Sequence, residues 1–350
     1  MSLCLNWFLR LFLGTFLLLS SLLALADGDT TQLRTPYQQD SAVLAWVNKV
    51  VSEKRVDKDA LMEALAKVKD REKILNLMDP SILRPDFKKD PRKKHWRAYL
   101  KNVLDRKRIQ MGREFLQKYK TTFDAVEAQY GVPREVIAAI IGVETRYGDY
   151  MGKFSVFDTL VVLSFDYPAR SSYFIKQLEG YLDLCQHYGW GLRSTLGSFA
   201  GAIGMPQFMP TSIQDFAADF DQDGKIDLIK NPKDAIASVG RFLNLHGWTK
   251  GLPGYYPTAF VSTYATRELV SAKPVLLSAG ELNRYEIDTS ALPYNVDAGL
   301  VDLPNETDNI DDPTPTDYLL GTTNFFVVTK YNRSFFYAAS VLLFADELKK

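Results

Sequence analysis

One carboxylate, Glu144 in "IGVETRYGDYMG" (141–152), stands between an apolar helical stretch and a glycine-punctuated turn. It follows Ile141, Ile140 and Ile137 by three, four and seven residues, so a helix sets it on the stripe of three isoleucines. Desolvation by that stripe and the negative end of the helix dipole both disfavour the anion, which predicts a raised pKa. A glutamic acid still protonated near neutral pH is equipped to be a general acid. Two plainer outcomes stay open on these residues alone: escape to solvent at the helix end, or pairing with Arg146.

A second segment, "GSFAGAIGMPQFMPTSI" (197–213), sets Ser198 and Gln207 among glycines, prolines and apolar residues. Glycine permits close approach of backbone and ligand, while serine and glutamine bind hydroxyls or amides without charge. A tightly packed helix–turn contact would read the same way. A third, "DFDQDGKID" (219–227), alternates Asp219, Asp221 and Asp223 and then turns at Gly224, the pattern of an EF-hand calcium loop. Lys225 can offer its carbonyl there, but the twelfth position is Lys230, not glutamate. A metal-free acidic turn is the competing reading.

These motifs need elements to hold them. Pro133 suits a first helical turn, and "REVIAAIIGVETRYG" predicts a helix running until Gly148 caps it. Upstream, "SAVLAWVNKVVSEK" and "KDALMEALAKVKDREKILNLM" show helical spacing, interrupted by the basic run "RPDFKKDPRKKHW", read as a solvated loop. After Pro257, "TAFVSTYATRELV" and "KPVLLSAG" predict short β-prone runs, "DLPNETDNIDDPTPTDY" (302–318) a loop, and "SFFYAASVLLFADELKK" an amphipathic helix.

The expected class is α+β and mainly helical. The expected divisions are a signal peptide at 1–26, a flexible tail at 27–38 and an N-terminal helical domain at 39–130. A core with the EF-hand-like loop follows at 131–255, then a small β-rich domain at 256–322 and a C-terminal segment at 323–350.

Composition excludes several classes. The 350 residues are 46% hydrophobic and 24% charged, an ordinary globular balance. Residues 1–26 carry one charge, Arg10, an apolar run and Ala24-Leu25-Ala26, the pattern of a cleaved secretory signal; an uncleaved anchor is the alternative. Without that segment, 42 basic and 42 acidic residues become 41 and 42, which argues against nucleic acid as partner. The remaining cysteine, Cys185, permits no internal disulfide, and a total of three histidines argues against a His-rich metal site.

Taken together, "GVPREVIAAIIGVETRYGDYMGKFSVFDTLVVLSFDYPAR", "GSFAGAIGMPQFMPTS", "HGW" (246–248) and "NFFVVTKYNRS" (324–334) resemble the lytic murein transglycosylase B family, over nearly all of the chain from about residue 40. The resemblance implies a lysozyme-like catalytic core to which the C-terminal segment at 323–350 returns, a periplasmic location, and peptidoglycan glycan strands as substrate, with cell-wall synthases as further partners. It implies that Glu144 is the sole catalytic acid. Substrate contacts fall to Tyr99, Arg170, Ser198, Gln207, Phe208, Tyr331 and Asn332. The implied chemistry is non-hydrolytic cleavage to 1,6-anhydro-N-acetylmuramic acid ends, with no catalytic cofactor. It also implies a structural calcium ion at Asp219, Asp221, Asp223 and Lys225, with Asp234 as its last ligand.

Three departures stand out. Ala169 precedes Arg170 where the family often has a second arginine, Phe242 replaces a frequent tyrosine, and Met205-Pro206 alters the turn before Gln207. A second carboxylate for ordinary glycosidase chemistry has only Asp149, Asp158 and Asp166 as candidates, on sequence distance alone. A hydrolytic muramidase and an inactive peptidoglycan-binding scaffold are the rival readings.

Overall fold

The computed structural model describes residues 35–84, 95–305 and 316–350. The expected signal peptide, the basic run at 85–94 and most of the acidic loop lie outside the described residues. The chain is α+β and mainly helical, as expected. In chain order come α1 (Ser41–Ser52), α2 (Lys58–Ala66), α3 (Arg71–Met78), α4 (Trp96–Val103), α5 (Arg106–Lys118), α6 (Lys120–Tyr130) and α7 (Arg134–Thr145). There follow β1 (Phe154–Ser155), α8 (Val156–Phe165), α9 (Ser171–Tyr188), β2 (Leu196–Gly197), α10 (Pro210–Phe216) and α11 (Pro232–Leu245). The rest is β3 (Tyr255–Pro257), α12 (Thr263–Leu269), α13 (Ala279–Asn283), β4 (Gly299–Leu303), β5 (Asp317–Gly321), α14 (Thr323–Tyr331) and α15 (Phe335–Lys349).

Among the described residues, two compact units share these elements: one takes 95–150, 216–305 and 316–350, the other 35–84 and 151–215. The sequence reading divides the chain consecutively, whereas these units interleave, because helices distant in sequence pack into one core.

In the first unit α7 is buried from Val136 to Thr145 on every face, against α5, α6, α11 and α15. A helix apolar all round belongs at a centre. The C-terminal helix α15 is central too: Tyr337 to Leu342 are all buried, so the amphipathic helix expected there is corrected to a core helix. Ser334 caps it by accepting from the Tyr337 N–H.

The runs expected as strands after Pro257 are only partly so. Ser262 accepts from the Ala265 N–H and starts α12 inside "TAFVSTYATRELV", and a capping box of Ser278 and Glu281 starts α13. The strands are β3, β5 and β4, antiparallel in that order, with Tyr255 opposite Gly321 and Gly299 opposite the same glycine. Ala265, Leu282, Ile287, Leu292, Ala298, Leu300 and Leu320 give this region its own small core.

In the second unit α8 is buried almost throughout and packs on α9 and α3, while β1 and β2 pair as Phe154 with Gly197. Asp158 is held by Arg193 in two 2.7 Å hydrogen bonds, and Asp166 accepts from Arg71 Nε at 2.9 Å and from the Tyr37 hydroxyl. Two of the three acids considered as a second catalytic carboxylate, Asp158 and Asp166, are thus committed to structural ion pairs.

Candidate active site

Glu144 occupies the penultimate position of α7 and is 3% exposed. Neither plainer outcome holds: the side chain does not reach solvent, and Arg146 instead pairs with Asp105, Nη2 to Oδ2 at 3.2 Å. The helix ends earlier than Gly148. Arg146 and Tyr147 both adopt the left-handed conformation (φ 50° and 62°), a costly backbone for residues with side chains. The turn is held by the Arg146 N–H on the Gly142 carbonyl (3.1 Å) and the Gly148 N–H on the Thr145 hydroxyl (3.1 Å). Tyr147 folds back over α7 and α5, where a side chain at Gly142 or Gly112 would overlap its hydroxyl.

Tyr337 is the residue that sequence reasoning missed. Its hydroxyl donates to Glu144 Oε1 at 2.7 Å, from a side chain with no exposed surface. A signal existed: Tyr337 and Ser340, three apart, are the polar groups of an otherwise apolar run, and a buried hydroxyl needs a partner.

Tyr331, expected at the site, stacks on Tyr337 with centroids 6.3 Å apart, and Phe242 meets it edge-on at 4.9 Å. Tyr99 is half-buried in α4 against Phe336. Asn332 is half-buried and closes α14. The first unit therefore gathers Glu144, Tyr337, Tyr331 and Tyr99 within electrostatic reach of one another.

Desolvation pushes the Glu144 carboxyl up to about 8, and the Tyr337 hydrogen bond, by favouring the anion, partly opposes it. Burial and then the Glu144 charge raise Tyr331 and Tyr337 well above the ordinary phenol value, and Tyr99 likewise. These tyrosines stay neutral donors while the acid holds its proton through neutral pH. Asp149 is exposed, so it supplies no buried second carboxylate.

In the second unit Ser198, Gln207 and Phe208 share one loop. The Ser198 hydroxyl accepts from the Ala200 and Ala202 N–H groups (3.3 and 3.0 Å) and braces the loop. Gln207 is buried with φ 52°; its Nε2 donates to the carbonyls of Met151 (3.2 Å) and Gly204 (2.9 Å), while Oε1 has no hydrogen-bond partner among the described residues. Phe208 is buried and bridges to Ile203, whereas Arg170 is exposed and lies 4.4 Å over the Tyr173 ring.

The acidic loop stays in the first unit. Asp219, Asp221 and Asp223 each present an oxygen within 4.8 Å of the others. Gly224 turns at φ 85°, and its N–H donates to Asp219 at 2.9 Å. Asp234 has no exposed surface and accepts from the Phe220 and Asp227 N–H groups, both at 2.9 Å. Its carboxyl is raised by burial, with Asp221 and Asp219 adding repulsion.

The chain belongs to the family described as the Transglycosylase SLT domain, whose model matches residues 39–346. It is similar to the membrane-bound lytic murein transglycosylase B of Escherichia coli (strain K12), 34% identical over 307 residues, 85% of this chain and 79% of that one. Among solved structures it resembles the soluble lytic transglycosylase SltB1 of Pseudomonas aeruginosa (TM-score 0.76, 32% identity, 87% of this chain and 97% of that one). It also resembles the E. coli lytic transglycosylase Slt35 in complex with calcium (TM-score 0.76, 32% identity, 92% and 95%). The fold is the lysozyme-like fold of these enzymes, and the protein is a lytic transglycosylase of peptidoglycan.

Proposed function

We infer that Glu144 is both acid and base in a cleavage of the N-acetylmuramic acid to N-acetylglucosamine bond that consumes no water. The observation that carries this reading is a buried carboxyl, raised by desolvation, that accepts a 2.7 Å hydrogen bond from a tyrosine hydroxyl, while Asp149 is exposed and Asp158 and Asp166 are ion-paired. Protonated Glu144 gives its proton to the glycosidic oxygen as the muramyl C1–O bond breaks. The substrate's own 2-acetamido oxygen stabilises the electron-poor C1. The Glu144 carboxylate, steadied by Tyr337, then takes the proton of the C6 hydroxyl as that oxygen bonds to C1, closing the 1,6-anhydro ring and restoring the acid. Intramolecular attack carries a large effective concentration and so competes with water.

Tyr99, Tyr331 and Asn332 serve as sugar contacts around the acid. Gln207 offers its unpartnered Oε1 to a substrate N–H or hydroxyl, and Ser198 and Phe208 complete that loop's contacts. Arg170 meets carboxylates of the peptide stem. One solved relative, SltB3 of Pseudomonas aeruginosa, is in complex with NAG-anhNAM-pentapeptide, which supports a product of this kind. Cell-wall synthases are the further partners.

Three hard carboxylate donors on a glycine turn fit calcium. Asp219, Asp221, Asp223 and the Lys225 carbonyl would hold the ion. Asp234, the last ligand the resemblance implies, accepts from the Phe220 and Asp227 N–H groups and so also braces the backbone of the loop. The ion would cancel carboxylate repulsion and brace the start of α11. A leader in residues 1–26 delivers the enzyme to the periplasm, where its substrate lies. No helix among the described residues is long and apolar enough to cross a membrane.

The test is digestion of purified sacculi by the wild type and by Glu144→Gln, with muropeptides weighed by mass spectrometry. The reading requires products one water lighter than hydrolytic fragments, and their absence with a variant that still binds glycan. Full-mass reducing ends would make the enzyme a muramidase. Release of lighter products by the variant would remove Glu144 from the chemistry.

A further inference from the structure

Arg108 has no exposed surface, although a buried guanidinium loses its hydration. Its surroundings explain where it is held. Nη1 donates to the carbonyls of Asn102 (3.1 Å) and Val103 (2.9 Å), the last turn of α4, where a cation also meets the negative helix end. Nη2 lies 3.4 Å from Asp105 Oδ2, the oxygen that Arg146 Nη2 approaches to 3.2 Å. Asp105 in turn caps α5 by accepting the Arg108 N–H at 2.9 Å. One buried side chain thus ties the end of α4 to Asp105 at the start of α5, and Asp105 in turn pairs with Arg146 in the strained turn that ends the Glu144 helix.

Tyr99 lies on α4 three and four residues before the clamped carbonyls, on the same face of the helix. Its ring packs against α15, its centroid 5.7 Å from that of Phe336. We propose that Arg108 is a positioning residue for the acid site, holding Tyr99 in register with Glu144. It touches neither substrate nor acid and acts through Tyr99. The inference rests on Glu144 being the acid.

A double-mutant cycle tests it: Arg108→Met and Tyr99→Phe, singly and together, assayed for kcat and KM on isolated glycan strands. Each single change is expected to lower kcat about 10-fold or more, since misplacement of about 1 Å is felt on that scale, with KM changed by less than about 3-fold. In the Tyr99→Phe background, Arg108→Met is expected to cost less than about 2-fold further. Should Arg108→Met fail to fold, Arg108→Lys, which keeps the charge but lacks the planar guanidinium that holds the two α4 carbonyls, takes its place in the same cycle with the same expectation. Equal kcat losses in both backgrounds, or an unchanged kcat, would overturn the proposal. Loss of activity in Glu144→Gln is scored separately, so failure of the acid reading and failure of the clamp are distinguishable.

Discussion

A carboxyl that must keep its proton to be buried comfortably makes stability depend on pH, and Glu144→Gln isolates that dependence. Gln keeps an oxygen to accept the Tyr337 hydroxyl but cannot ionise. Below 4.5, the ordinary value, Glu144 is protonated in both the folded and unfolded chain and carries no penalty. Between 4.5 and about 8 the unfolded chain releases its proton while the folded one retains it, so stability falls as pH rises. Above about 8 the buried group ionises and the loss is complete. At about 1.4 kcal/mol for each unit of displacement, the loss reaches at most about 5 kcal/mol. Water entry and local relaxation reduce it. Paired urea denaturation of both proteins, from about pH 4 to about pH 10, reads the difference directly. The variant's advantage is expected to grow by several kcal/mol across that range and to level off at its alkaline end. Curves that stay parallel would refute desolvation as the cause of the raised pKa.

Tyr337→Phe removes the hydrogen bond that favours the Glu144 anion, so the alkaline limb of kcat/KM is expected to move up by about one pH unit, consistent with about 1.5 to 3 kcal/mol for a bond to a charged group. A limb that stays put or moves down would show that the bond does not act on the acid. Calcium at 100 times its Kd is expected to raise unfolding stability by about 2.7 kcal/mol in the wild type, and to leave Asp219→Asn with Asp223→Asn unchanged, as calorimetry can check. Gly142→Ala drives a methyl into the Tyr147 ring and is expected to cost about 1 to 3 kcal/mol, measured by denaturation.

The helix carrying Glu144 was legible because its isoleucine spacing and Pro133 are local signals. Its end was not: Arg146 and Tyr147 take left-handed backbones that only packing over Gly112 and Gly142 and the Asp105 pair can impose. Tyr337 was hidden for a related reason. An apolar run with a hydroxyl reads as amphipathic until a partner 193 positions away is known. The runs after Pro257 have β-prone composition, but the caps at Ser262 and Ser278 won locally, and strand pairing was left to β3, β4 and β5. Gln207 was found by its glycine-rich setting. Its unpartnered oxygen is a fact of tertiary structure.

The central claim is that the C6 hydroxyl, not water, captures C1. Digesting sacculi in heavy-oxygen water and weighing the muropeptides tests it most directly. The account predicts new ends with no solvent oxygen and no reducing aldehyde; heavy oxygen at C1 of the new muramic acid ends would contradict it.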